Sequence, residues 1–481
     1  MSRLVRVYPR MVVGGTETHV LALLRHFPGP LVVPGVAGRA VDLARAGGSE
    51  VTVIERPRFA ATVRAVRGAR VAHLHTINND PLLVAALQLA GPTRLVQTVH
   101  NHLTSERGGL FDHTWVVGAA TAAVQTAPGR VSVLPEGVDV PSELPTRASL
   151  DGRPVRVLEV RRDGKEMAYT LDDLAAAGAF AGLAVDAVVV GVEGPTTHGV
   201  RRVGVVDDPR AWLEWADVVV HGSAAETFGR TVYEASAAGA AVVVAPLPAF
   251  EQLIAEGHVS ASADASPAAG ASALRARIAA LGTDRDAEQR RAAFDRVGAT
   301  ASTHRMIDAQ RAGYAAVDAG APAPRALYAD DLDDDALDPL GAALDAAMYA
   351  RALPAGLPEP AAHVAAVVLT DLGVLHGSTA ARALRHALAY LGDRAPLWRS
   401  VGGAARDVGD VATARDAYTR AWALDPADVT APAALLEFHL HRGERAHALA
   451  VLERALDAAP GWALGRRLEA RLRGSVPPAP G

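Results

Sequence analysis

The chain has 481 residues, half of them hydrophobic and only 5% aromatic, a length that exceeds one core and implies about three domains. Its formal charge of −5 excludes a bulk attraction to nucleic acid, and the absence of cysteine excludes disulfides, a thiolate nucleophile and cysteine metal sites. The N-terminus MSRLVRVYPR has no apolar signal core and no run of the chain is apolar enough to span a membrane, so the expectation is a soluble, cytoplasmic protein, with peripheral membrane contact left open.

In chain order, Leu4–Tyr8 reads as a short strand, Arg10 to Thr18 as a loop, and about Glu17 to His26 as a helix with Val20, Leu21, Leu23 and Leu24 apolar. Gly14 and Gly15 sit where the loop turns into the helix. A diglycine there can bring backbone amides against a phosphate or a sugar. Strands recur at Leu31–Val33, Val51–Ile54, Val71–Leu74 and Leu95–Val99, with helical segments between several of them. That alternation predicts a doubly wound parallel sheet, whose ligands bind beyond the carboxyl ends of its strands. His100 follows Leu95–Val99 at such an end and is a candidate ligand. His73 alternates with Leu74 and reads as a satisfied core histidine. A sixth strand, Thr114–Val117, precedes V-S-V-L-P-E-G-V-D at Val131–Asp139, and residues 141–154 read as a linker.

A second domain opens with Val155–Val160, followed by R-R-D-G-K, which places Arg161, Arg162 and Lys165 beyond a strand end. Lys165 is the only lysine in a chain rich in arginine. Next come Ala187–Val190, the turn Gly191–Pro195, and Arg202–Val206, with Trp212 and Trp215 flanking a short helix as core candidates. From Ala216 to Ala245 the sequence is ADVVVHGSAAETFGRTVYEASAAGAAVVVA: a strand at Val218–Val220, a small-residue loop, a helix from near Gly229 to about Gly239, and a strand at Val242–Val244. Amides around Gly229, Arg230 and Thr231 are unpaired at that helix start and can hold phosphate oxygens. Glu234, in the second turn, is a two-oxygen acceptor suited to a vicinal diol such as a ribose. Glu226, in the loop, faces the same cleft and could meet a sugar hydroxyl. A long helical tract containing Tyr314 then runs to about Val317.

Residues 318–326 read as a linker, and Asp330–Asp335 as a solvated helix start. The C-terminal part repeats itself. Gly409–Gly443, Ala414–Ala448, Ala421–Ala455 and Pro426–Pro460 are each 34 apart, a weaker unit with Ala380, Leu384 and Ala387 precedes them, and Leu464–Leu472 reads as a capping helix. This pattern resembles tetratricopeptide repeats, which bind partners in a concave groove.

The two glutamates are eight apart, with A-D-V-V-V before them, F-G between and E-A-x-A-A-G-x-x-V-V after. This resembles the E-x7-E region of retaining GT-B glycosyltransferases of the GT4-like family. The resemblance implies two Rossmann-like, doubly wound domains facing a cleft. It implies that Glu234 holds the nucleotide ribose, that Glu226 faces the donor sugar, and that the backbone of Phe228, Gly229, Arg230 and Thr231 meets sugar or phosphate. G-G-T-E-T-H-V-L-A-L resembles the family's first loop, near the acceptor, and His100-Asn101 its strand-terminal H-D or H-N, whose histidine approaches the donor sugar. R-R-D-G-K resembles the family's arginine and lysine that grip the donor diphosphate: Arg161 or Arg162 matches the first and Lys165 the second. The loop is shorter here and Gly164 precedes the lysine instead of following it. Fixed cations at that place stabilise the charge a leaving diphosphate gains. Glu136 stands where the family's hinge motif has asparagine, Phe250 to Ile254 resembles its P-E-L-I ending, and the Tyr314 tract resembles the terminal helix that crosses back to the first domain.

The expectation is therefore an α/β GT-B protein followed by an all-α, tetratricopeptide-like domain. Its N-terminal Rossmann-like domain covers 1–140 and its donor-side Rossmann-like domain 141–317. A linker and acidic helical segment cover 318–355, and helical repeats 356–475. It would be a retaining hexosyltransferase-type enzyme moving a sugar from a nucleotide-diphosphate sugar to a hydroxyl acceptor, with the repeats binding a protein partner or acceptor. No D-x-D motif sits in the cleft segments, so no metal and no cofactor beyond the donor are expected. The rival readings are another GT-B enzyme, such as a nucleotide-sugar epimerase, and a non-catalytic GT-B scaffold.

Overall fold

The structure, a computed structural model, describes all residues except 1–2, 12–13, 56–57, 77–79, 102–109, 207, 321–333, 351–356, 358, 372–373 and 475–481. It divides into two compact units, residues 1–133 with 313–481, and residues 134–312.

The first unit is built on a seven-stranded parallel sheet. In spatial order its strands are Val51–Val53, Leu31–Val33, Leu4–Val7, Val71–Thr76, Arg94–Val99, His113–Val116 and Val131–Val133. Counted along the chain this is 3-2-1-4-5-6-7, and the order reverses between Leu4–Val7 and Val71–Thr76, where Val7 pairs with Leu74. The strands Leu4–Val7 and Arg94–Val99 are buried along their whole length, the polar Arg6, Gln97 and Thr98 included, as strands covered on both faces are.

Helices from the far end of the chain finish this unit. Leu337, Leu340 and Leu344 of the helix Asp334–Ala350 and Val364 and Val368 of the helix Glu359–Asp371 share one core with Val5, Val7, Val63 and Leu83. Asp335 is exposed at the helix start, as its charge requires, while Asp330–Asp333 lie outside the described residues. Of the 318–326 stretch, residues 321–326 also lie outside them. The preceding helix, Thr303–Ala319, runs to its edge, where Arg70 pairs with Asp318 and Arg94 donates to the carbonyl of Gly320 at 2.5 Å. Tyr314 on that helix packs edge-on against Phe27, His73 and Trp115.

The repeats form five helices, Ala395–Asp407, Val411–Leu424, Thr430–His441, Arg445–Ala458 and Ala463–Arg473. Gly409 and Gly443 hold the same left-handed conformation between paired helices (φ 77° and 71°), which is why glycine recurs at that spacing. Ala380, Leu384 and Ala387 are fully buried on the preceding helix, Gly377–Leu391. The array is anchored to the α/β part by Arg130, whose Nη2 donates to Asp425 Oδ1 at 2.8 Å, and by the Val429 amide on the Thr126 carbonyl at 3.0 Å.

The second unit holds a six-stranded parallel sheet: Val200–Gly204, Val185–Val190, Val155–Val160, Val218–His221, Ala241–Val244 and Ser260–Ala261 in space, or 3-2-1-4-5-6 along the chain. Its strands bury both faces, with Val157, Val189, Val218 and Val243 in one core and Leu158, Val188, Val219 and Val244 in the other, as a two-residue period demands. The third of them in chain order spans Val200–Gly204, not Arg202–Val206. Trp212 and Trp215 lie within the helix Arg210–Trp215, half-buried, with rings meeting edge to face at 5.6 Å. No helix among the described residues is long and apolar enough to cross a membrane.

Candidate active site

The order of the second sheet reverses between Val155–Val160 and Val218–His221, so the carboxyl ends of these neighbouring strands present Arg161–Lys165 beside Gly222–Gly229. There Lys165 Nζ donates to Glu226 Oε1, and His221 Nε2 lies 2.9 Å from the same oxygen. The Lys165 side chain is 25% exposed and that of Glu226 12%. Burial alone would raise the Glu226 pKa, but the hydrogen bond and charge of His221, joined by those of Lys165, outweigh it and hold the carboxyl at about 2. The lone lysine and the first glutamate, 61 positions apart, thus form one ionic cluster. His221 was not singled out from sequence. The signal was a histidine closing an apolar strand five residues before a glutamate.

Arg161 lies 3.2 Å from Glu159 Oε1, and the Leu171 amide donates to Glu159 Oε2 at 2.9 Å. Glu159 is fully buried, and burial raises its pKa to about 7 against the opposing Leu171 amide and Arg161 charge. Arg162 is exposed. Both arginines stay candidates for a diphosphate, one braced from beneath and one open to solvent. Glu159 escaped sequence reading because it stands inside a valine- and leucine-rich strand.

The helix after Glu226 spans Arg230–Ala237, and no side chain caps its start. Gly229 is left-handed (φ 78°), and a Cβ there would run into the Phe250 ring, so the residue has to be glycine on both counts. The Phe228 side chain is buried and stacks on Tyr233 at 4.1 Å, which leaves its backbone as the part available to a ligand. Thr231 sits half-buried in the first turn. Arg230 Nε donates to Glu234 Oε1 at 2.6 Å and its Nη1 to the Gly137 carbonyl at 2.7 Å. Burial raises the Glu234 pKa, with the Arg230 charge opposing it. Arg230 and Glu234 line a cavity of about 330 Å³ together with Asp139, Asp208, Arg210 and Leu213. Glu226 is absent from its wall, so the two glutamates do not share this cavity.

Residues 174–281 match the family described as glycosyl transferases group 1, and residues 405–472 match the tetratricopeptide repeat. The chain carries a group 1 glycosyltransferase domain. Its fold is GT-B, as three solved structures demonstrate. The Anabaena protein HepE in complex with UDP is 16% identical, with a TM-score of 0.57 over 65% of this chain and 100% of its own. A glycosyltransferase from Rickettsia africae is 12% identical, with a TM-score of 0.54 over 66% and 100%. The sucrose-phosphate synthase of Thermosynechococcus elongatus is 17% identical, with a TM-score of 0.51 over 66% and 100%. No curated protein matches the chain.

The first sheet carries the remaining candidates. Gly14 precedes the helix Gly15–His26, and a Cβ on it would come within 2.7 Å of Glu17 Oε2. Glu17 also accepts from Tyr8 Oη at 3.1 Å, so the helix's first acid lies against both Gly14 and Tyr8. His73 is the satisfied core histidine expected from its alternation: its ring nitrogens meet Tyr314 Oη at 2.6 Å and Thr98 Oγ1 at 2.8 Å. His100 is buried and not alone. Its Nε2 lies 3.2 Å from His75 Nδ1, and its ring centre is 5.0 Å from that of His19. Burial, then the charges of His73, His100, His19 and Arg6, hold His75 well below the ordinary histidine range. Neither His19 nor His75 was weighed as a ligand from sequence.

Proposed function

We propose that this glycosyltransferase is a retaining, GT4-like enzyme that moves a sugar from a nucleotide-diphosphate sugar to a hydroxyl acceptor. The observation that carries the reading is the Lys165–Glu226–His221 cluster at a sheet's switch point, followed by the uncapped helix start at Gly229. A diphosphate arriving there competes with Glu226 for the Lys165 ammonium, with Arg161 or Arg162 beside it and the Gly229–Thr231 amides ahead. As the bond to the anomeric carbon breaks, charge grows on the leaving phosphate oxygen, and these donors stabilise it. The same phosphate takes the proton of the acceptor hydroxyl as that oxygen attacks from the side it leaves, which gives retention without an enzymic nucleophile. The positive charge needed at the diphosphate comes from side chains, so the transfer itself runs without a metal. Glu234, beside a 330 Å³ cavity, receives the ribose hydroxyls and exchanges Arg230 for them.

HepE was solved with UDP and with UDP-glucose, so uracil is the base proposed here. Gly14 and Gly15 are assigned to the acceptor half. The repeats are assigned to holding a protein partner or acceptor, and the protein to the cytoplasm.

The test is thermal shift of the full chain against UDP, GDP, ADP and dTDP, with Lys165→Ala and Glu234→Ala alongside. A ligand at about one hundred times its dissociation constant adds roughly 2.7 kcal/mol, several degrees for a unit of this size. UDP alone should shift the wild type and neither variant. No shift with any nucleotide, from a protein that melts cooperatively, would transfer the reading to a non-catalytic scaffold.

A further inference from the structure

The first sheet reverses its strand order between Leu4–Val7 and Val71–Thr76, and three histidines from three different elements gather at its carboxyl end. His19 comes from the helix Gly15–His26, His75 from the end of the strand Val71–Thr76, and His100 from just beyond the strand Arg94–Val99. Their relative exposures are 0%, 0% and 7%. Each offers one ring nitrogen, and the three nitrogens all lie within 4.8 Å of one another.

We infer that His19, His75 and His100 form a binding site for a divalent transition-metal ion of the zinc class. The inference goes beyond sugar transfer and does not depend on it. One pair, His75 Nδ1 and His100 Nε2, is 3.2 Å apart. Two nitrogens at the corners of a tetrahedron with metal bonds of about 2.0–2.1 Å stand about 3.3 Å from each other. Without an ion these two imidazoles must share a proton, and an ion takes its place. The donor set selects the metal: three imidazoles with no carboxylate suit zinc, cobalt, nickel or copper and offer nothing to calcium or magnesium, which require oxygen. His73 stacks on His75 at 4.1 Å but stays outside the set, because Tyr314 and Thr98 take both its nitrogens. Its stacked ring limits how that of His75 can turn. Three protein ligands leave a fourth position for a water or an oxygen of a bound molecule, the arrangement of open zinc sites rather than closed structural ones.

The experiment uses the full chain, stripped with a chelator and titrated with Co²⁺. A competing group on the repeats, His439, Glu444 and His447, is first removed as His439→Ala/His447→Ala. One equivalent of Co²⁺ should give the intense visible bands of four-coordinate cobalt, and Zn²⁺ should displace it. His19→Gln, His75→Gln and His100→Gln should each weaken binding by at least roughly a hundredfold, the upper effect of losing even an outer neighbour. If a variant fails to fold without metal, X-ray absorption at the zinc edge of the parent protein decides. Three imidazole nitrogens and one oxygen at about 2.0 Å support the site. Weak six-coordinate cobalt, binding that vanishes with His439 and His447, or no ion at one equivalent overturns it and leaves a proton-bridged imidazole pair.

Discussion

Two sheets in this chain follow the same strand order, yet the ends of their strands carry opposite chemistry. At the switch point of the second sheet stand a lysine, a carboxylate and a histidine joined through one oxygen. At that of the first stand three buried imidazoles. The topology that leaves a crevice where neighbouring helices diverge is common to both. What each crevice can hold is decided by which residues close the strands. The two sheets also differ in what covers them. The second unit is one continuous segment, residues 134–312, whereas the first joins residues 1–133 to 313–481. The acidic helical segment, through Leu337, Leu340 and Leu344, and the first repeat helix, through Leu397, Val401 and Ala404, belong to the first sheet's core.

The contrast can be broken most forcefully at that shared core. Leu340 is fully buried, and Leu340→Ala should cost about 2–5 kcal/mol. Hydrogen exchange should quicken in Val71–Thr76 and stay unchanged in Val218–His221. Equal quickening in both strands would mean that the two sheets do not differ in this way.

Next in size is the chemistry of the second switch point. Lys165→Ala should lower release of nucleoside diphosphate from the donor by about 10²–10³-fold, the effect of losing one fixed donor to developing charge. Lys165→Arg should restore only part of it, because a planar fork does not replace a point charge. Activity indifferent to both changes would deny the cluster its role.

Glu159 sharpens the comparison through pH. Its folded-state value of about 7 lies above the ordinary 4.5, so the folded chain keeps a proton that the unfolded chain has lost. Stability should therefore be full below about pH 4.5, fall by on the order of 3 kcal/mol as pH rises to about 7, and then level off. Glu159→Gln should remove that decline, as denaturant midpoints at about pH 5 and about pH 8 would reveal. A wild-type midpoint that does not fall over this range would show Glu159 to be ionised at little cost.

The smallest effect is expected at the helix start. Gly229→Ala places a Cβ against the Phe250 ring in a left-handed residue and should cost about 1–3 kcal/mol. Unchanged stability would mean that the loop relaxes and that glycine is there for the ligand alone.

Much of the second site was legible because it is local. Glu226, Gly229 and Glu234 lie within one strand–loop–helix, where spacing alone predicts a helix start between two acids. Lys165 stood out by being the only lysine. His221 and Glu159 were missed because their roles come from pairing: one closes a strand on a carboxylate, and the other sits under an arginine inside an apolar run. The histidine trio was less legible still. His73 followed from its alternation, but His19, His75 and His100 are brought together from a helix and two strands, and no spacing relates 19, 75 and 100.

By itself the sequence determined the elements, their parallel order, the repeat period and the ionic character of the second site. Strand alternation, helix starts and glycine turns depend on neighbours a few positions away, so they can be read along the chain. Only the tertiary structure decided which partners those residues take: Lys165 with Glu226, Arg230 with Glu234, three histidines with each other, and the acidic helix with a core assembled more than two hundred residues earlier. These pairings depend on which strands lie side by side and which face of a helix is covered, and burial then settles what each charge can do.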